Sequence, residues 1–115
     1  NRVAALRGKY RSEKMRAYRR EVYRRTREAV IAGLGGCCAC CGETIIEFLT
    51  IDHVNNDGAE HRRRDPKTAT GAGLCRYLRD SGYPDDFQVL CFNCNCAKGA
   101  YGECPHQAEV KSNAA

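Results

Sequence analysis

The chain has 115 residues, a formal net charge of +5, nine cysteines, three histidines and no tryptophan. That length suits one small domain, and no apolar run approaches the ~18 residues of a membrane span, so no membrane partner is expected. An odd cysteine count excludes a complete disulfide framework within one chain. No apolar segment follows the charged N-terminus as an export signal requires, so the expectation is a cytoplasmic, unsecreted protein whose thiols stay reduced.

The charge is unevenly spread. Residues 1–30 hold eleven Arg and Lys against three Glu, and the remainder is net acidic. A basic arm on an acidic body predicts a polyanionic partner, nucleic acid first. Residues 10–32 are rich in helix formers and lack Pro and Gly, which predicts a helix. Met15, Tyr18 and Val22 form a narrow apolar stripe, and Gly33, Gly35 and Gly36 mark the stop. So narrow a stripe places the helix on the body or on a partner. Arg16, Arg19, Arg20, Arg24 and Arg27 are the expected phosphate contacts, each releasing counterions on binding. A solvated charged helix is the alternative.

Residues 37–42, CCACCG, contain two overlapping C-x-x-C pairs, and CFNCNC follows at 91–96. Two such knuckles in a reducing setting predict a four-thiolate zinc. Cys91 and Cys94 form one knuckle. For the other, Cys38 and Cys41 are preferred, because Gly42 then follows the second cysteine and lets backbone amides turn toward the thiolates. Cys37, Cys40, Cys75, Cys96 and Cys104 are left over and read as small buried apolar residues. A second metal on Cys104 and His106 is the open alternative.

The stretch from Ile45 to Ile51, rich in β-branched and aromatic residues, predicts a strand ending at Asp52-His53. Residues 54–86 read as a long connection that opens with the turn signal NNDG. It carries His61, read as a phosphate contact, a helper of the site or an exposed loop histidine, and the basic run Arg62, Arg63 and Arg64, read as phosphate contacts or solvated loop residues. Within it, GLCRYLRDSG predicts a short helix with Leu74, Tyr77 and Leu78 on one face and Gly82 as its stop. FQVL (87–90) predicts a second strand, and NCNCAKGAYG begins a last short helix carrying Lys98, a further candidate phosphate contact. The tail after His106 is expected to be disordered.

The order C-x-x-C-G, strand, Asp-His, connection, strand, C-x-x-C-Asn, Lys-Gly resembles the HNH endonucleases, the ββα-metal nucleases. The matching stretches are CACCGE, LTIDHVNNDG and FQVLCFNCNCAKG. The pattern is most similar to phage-type members with a four-cysteine zinc, including the endonuclease VII-like branch, and spans about residues 38–100. The resemblance implies an α+β fold: a small zinc-stabilised ββα-metal domain (37–106) behind a basic helical leader (1–36), with a tail (107–115). It implies His53 as general base, and Asp52 and Asn95 as ligands of a catalytic Mg²⁺ or Mn²⁺. The family's middle Asn is replaced by Asp86, before Phe87, a departure at the residue that braces the histidine loop.

The chemistry agrees with these residue types. Imidazole titrates near neutrality and suits activation of water, and oxygen donors suit a hard divalent ion. Neighbours on a regular strand point to opposite faces, so Asp52 and His53 converge on one phosphate only where the strand ends. The implied function is metal-dependent cleavage of double-stranded DNA, of homing or packaging type, in the host cytoplasm if phage-encoded. One site nicks, and a double-strand break requires a dimer or two events. The rivals are a non-catalytic zinc-dependent nucleic-acid-binding module and an RNA-associated subunit, since arginine-rich segments also bind RNA.

Overall fold

The computed structural model describes residues 1–114. Its first helix, α1, runs Arg2–Gly33 and begins eight residues before the predicted start. Asn1 explains the earlier start: its side chain accepts a hydrogen bond from the Ala4 N–H at 3.0 Å, satisfying one orphan donor of the first turn. Gly8 lies inside the helix, where its cost of about 1 kcal/mol is spread over many good helix formers.

The apolar stripe of α1 touches the body only along its edge, where Tyr18 and Val22 border a cleft with Ala72, Arg76 and Arg79. Met15, Tyr18 and Val22 are 44%, 65% and 44% exposed. Only the last turns are buried, through Val30 and Ile31. The body therefore grips one end of α1, and the molecule measures 73 × 31 × 27 Å. Gly33 is required there for packing as well as termination, because a Cβ at that position would run into the Tyr83 ring.

The body is a mixed α and β unit around a two-stranded sheet. The chain from Cys37 passes through a loop and a single 3-10 turn, Ile46–Phe48, before β1 (Leu49–His53). Ile45 to Phe48 therefore lie outside the sheet, although their side chains favour strands. Ile45 and Phe48 are solvent-exposed, so no partner strand or core contact holds them extended. β1 pairs antiparallel with β2 (Phe87–Cys91), with Leu49 opposite Cys91, Asp52 opposite Gln88 and His53 opposite Phe87. The strand thus extends through His53.

The connection between the strands is more structured than its composition suggests. It contains α2 (Gly58–Arg64) and α3 (Gly71–Asp80). The basic run is therefore helical, and His61 is buried rather than displayed on a loop. α3 buries Leu74, Cys75 and Leu78 against Val30 and Phe87, while Tyr77 sits at the edge. Gly82 takes a φ of 74° just beyond it, the left-handed conformation glycine adopts without strain. α4 (Phe92–Tyr101) follows β2 directly, and α5 (Pro105–Ala114) occupies the segment expected to be disordered. Pro105 is at the first helical position, where its missing N–H costs nothing. Cys104, just before it, is buried in the core with Cys38, Leu49, Val89 and Cys94.

Among the described residues, no helix is long and apolar enough to cross a membrane.

Candidate metal centre and active-site cleft

Cys38, Cys41, Cys91 and Cys94 come together with their sulfurs within 4.8 Å of one another, close enough to hold one metal ion. The Cys41 and Cys91 sulfurs are 3.8 Å apart, close to the ~3.8 Å edge of a tetrahedron with 2.3 Å metal–sulfur bonds. The register chosen from Gly42 is the one that assembles. Gly42 has a φ of 84°, and its N–H bonds to the Cys38 carbonyl at 2.9 Å. The two knuckles repeat one local motif: the Cys41 N–H faces Cys38 Sγ and the Cys94 N–H faces Cys91 Sγ, each at 3.4 Å. Burial works against the Cys38 thiolate, but the surrounding backbone N–H groups outweigh it and bring the thiol down to about 6. Cys94 is pushed strongly upward, first by burial and then by the thiols around it. Crowded thiols of this kind ionise together only around a cation.

Cys37 belongs to neither knuckle, as expected. Cys40 does not stand apart in the same way: with Cys94, Cys104 and His106 it forms a second group of ligand atoms within 4.8 Å. Cys75 is a buried core thiol, and Cys96 is exposed.

At the other end of the hairpin, Asp52, His53, Asn95, Lys98 and Arg62 line one cleft of about 510 Å³. Asp52 and His53 are successive strand residues that leave β1 in different directions. Asp52 meets α4: Lys98 Nζ donates to its Oδ2 at 2.8 Å, and Gln88 Nε2 donates to the same oxygen at 2.9 Å. His53 turns to the α2 side, its ring 4.7 Å from that of Phe87. Both border the cleft because they occupy the strand terminus.

A directed chain of hydrogen bonds orients His53. The Thr68 hydroxyl donates to Asp65 Oδ2 at 2.9 Å, so its oxygen accepts from His61 Nε2–H at 3.0 Å. In a neutral imidazole the other nitrogen is then an acceptor, and His61 Nδ1 takes the His53 Nε2–H at 2.9 Å. His53 Nδ1 consequently carries a lone pair. It lies on the side of Gly58, where an added Cβ would sit 3.2 Å away. Burial, and after it His61, hold the His53 imidazole below its ordinary value, against the opposing pull of Asp57 and Asp52.

Asn95 is oriented by the same logic. The Thr50 hydroxyl donates to the Leu90 carbonyl at 2.7 Å, so it accepts from Asn95 Nδ2 at 2.8 Å, leaving the amide Oδ1 as an acceptor. The middle-position departure at Asp86 also has a structural answer. The Asp86 backbone carbonyl accepts the Val54 N–H at 3.0 Å, so the loop after His53 is braced whatever that side chain is.

Of the expected nucleic-acid contacts, Arg16, Arg19 and Arg20 are exposed on α1, and Arg62, Arg63 and Arg64 on α2. Arg24 shares its charge with Glu21 and Glu28 at 2.6 and 2.9 Å. Arg27 turns inward and donates to the Leu49 carbonyl. Lys98 is 13% exposed and held by Asp52 and the His53 carbonyl. His61 is 5% exposed, so it supports His53 from within the fold. Gln88, Thr50, Thr68 and Asp65 are not among the residues that the motifs mark for the site in the sequence. Gln88 was accessible from strand register alone, as the residue opposite Asp52. Thr68 and Asp65 reach His61 only through the fold of α2 and the turn after it.

No family model, curated protein or solved structure matches this chain.

Proposed function

We propose that the chain is a metal-dependent endonuclease of the HNH type, hydrolysing phosphodiester bonds of DNA. One observation carries the reading: Asp52, His53 and Asn95 line a single cleft, with His53 Nδ1 and Asn95 Oδ1 both left as acceptors by their hydrogen-bond partners. The order of elements, an antiparallel hairpin running directly into a helix beside a four-thiol cluster, agrees with the family its motifs resemble. Zinc is the proposed ion of the thiol cluster, since four thiolates at tetrahedral spacing suit it.

The donor set of the cleft fits a hard divalent ion: a carboxylate of Asp52 and the amide oxygen of Asn95, with neither thiol nor imidazole required. When bound, Mg²⁺ or Mn²⁺ supplies charge neutralisation at the phosphate and at the leaving oxygen. His53 accepts a proton from water at Nδ1, and the resulting imidazolium keeps its Nε2–H bond to His61. Arg62, on the cleft wall, neutralises a phosphate oxygen. The exposed arginines of α1 hold the polyanion outside the cleft, a long-range contact that weakens with salt.

The test is nicking of supercoiled plasmid with Mg²⁺ by the wild type and by His53→Ala. A loss of about 10²–10⁴-fold is expected for removal of a general base. Equal cleavage by both proteins ends the mechanism. No cleavage by either, together with tight salt-dependent binding, favours a non-catalytic binding module.

A further inference from the structure

We propose that the protein holds a second structural zinc, bound by Cys40, Cys94, Cys104 and His106, with the Cys94 thiolate bridging it to the ion of the four-cysteine centre. The ligands come from three places in the chain: the first knuckle loop, the start of α4, and the entry to α5. Their ligand atoms all lie within 4.8 Å of one another.

The distances match a metal polyhedron. His106 Nδ1 is 3.5 Å from Cys94 Sγ, 3.4 Å from Cys104 Sγ and 3.7 Å from Cys40 Sγ. A tetrahedral zinc with bonds of 2.3 Å to sulfur and 2.0–2.1 Å to nitrogen has sulfur–nitrogen edges of about 3.6 Å. Simple packing has no reason to place three sulfurs at nearly that separation from one ring nitrogen. An outer partner is also in place, as Gln107 Nε2 donates to Cys40 Sγ at 3.3 Å. Such bonds orient a ligand and stabilise its charge.

Charge balance favours the pair. The second ion brings two positive charges, and Cys40 and Cys104 add two thiolates, their protons released to solvent. His106 binds as neutral imidazole. The sulfur-rich centre therefore gains an ion with no change in net charge. The consequence is mechanical: α5 and the Cys40 loop become tied to α4, the helix that carries Asn95.

The test is metal content of the full chain, by native mass spectrometry after zinc loading, and it is independent of nuclease activity. Two zinc ions per chain are expected for the wild type and for the control Cys96→Ser, whose thiol is exposed. Cys104→Ser and His106→Ala should each hold one. One ion or none in the zinc-saturated wild type overturns the proposal, as does retention of two ions by both variants. Titration of the apoprotein with Co²⁺ gives a check free of mutation. Thiolate-to-cobalt absorption should grow up to two equivalents, and saturation at one overturns the second site. An absence of any thiolate-to-cobalt absorption would remove the four-cysteine centre as well.

Discussion

His53 has to be neutral and correctly turned to act as a base, and different neighbours meet those two needs. Burial and His61 keep the imidazole below its ordinary value, so the acid limb of the log kcat/KM profile should fall below the ordinary ~6.5. The stability consequence has a defined sign. A histidine whose native pKa is depressed binds fewer protons folded than unfolded below ~6.5, so its contribution is complete above that pH and lost as pH falls toward the native value. The His61–Thr68–Asp65 chain sets the tautomer. His61→Leu should lower kcat by about 10- to 100-fold, the range for outer partners of a site, with folding retained. His61→Asn, which keeps an acceptor near the Nδ1 position, should recover part of the loss. Equal kcat in the wild type and His61→Leu would remove His61 from any positioning role. At this scale the resemblance to the HNH pattern singles out Asp52, His53 and Asn95, and the structure brings the three to one cleft. The sequence offered His61 as a phosphate contact or a helper of the site but not as a buried residue, because EHRRR reads as a charged surface until α2 turns one side of it inward.

Among the elements, the two knuckles and α1 behave differently. Cys41→Ser removes a thiol of the four-cysteine group and should unfold the body or cost several kcal/mol, since metal affinity is folding free energy in small modules. Cys37→Ser lies outside both ligand groups and should leave the unfolding free energy measured in urea within ~0.5 kcal/mol of wild type. The reverse pattern would move the register by one residue. The free half of α1 should act on binding alone. Deleting residues 1–15 removes five Arg and Lys and should flatten the salt dependence of DNA affinity by about one unit of slope per lost phosphate contact, with thermal stability unchanged. An unchanged slope would place binding elsewhere.

For the whole molecule, the boundary between leader and body is not where the composition changes. Val30 and Ile31 are core residues, packed against β-strand and α3 side chains, and Arg27 caps a strand carbonyl. Ile31→Ala should cost about 2–5 kcal/mol in denaturant unfolding, and a fragment beginning at residue 37 should fail to fold even with zinc. A stable, metal-bound 37–115 fragment would show that the body is independent of α1. The C-terminal segment makes the complementary point. Its sequence has no apolar periodicity, so it reads as disordered, but Cys104 is buried, Gln107 reaches Cys40 and Lys111 pairs with Glu103.

Local spacing marked the two knuckles in their register and the short amphipathic helix at 71–80, whereas Asp52, His53 and Asn95 came from the resemblance to the HNH pattern. Each C-x-x-C unit and the helix rest on residues within a few positions of one another, where glycine conformation, helical periodicity and ligand chemistry act directly. Three features depend on contacts across many residues: the depth to which α1 enters the core, the burial of His61 behind His53, and the meeting of Cys40 with Cys104 and His106. Those contacts become favourable only after the hairpin and helices have packed, because the apolar burial and hydrogen-bond partners that stabilise them lie far away along the chain.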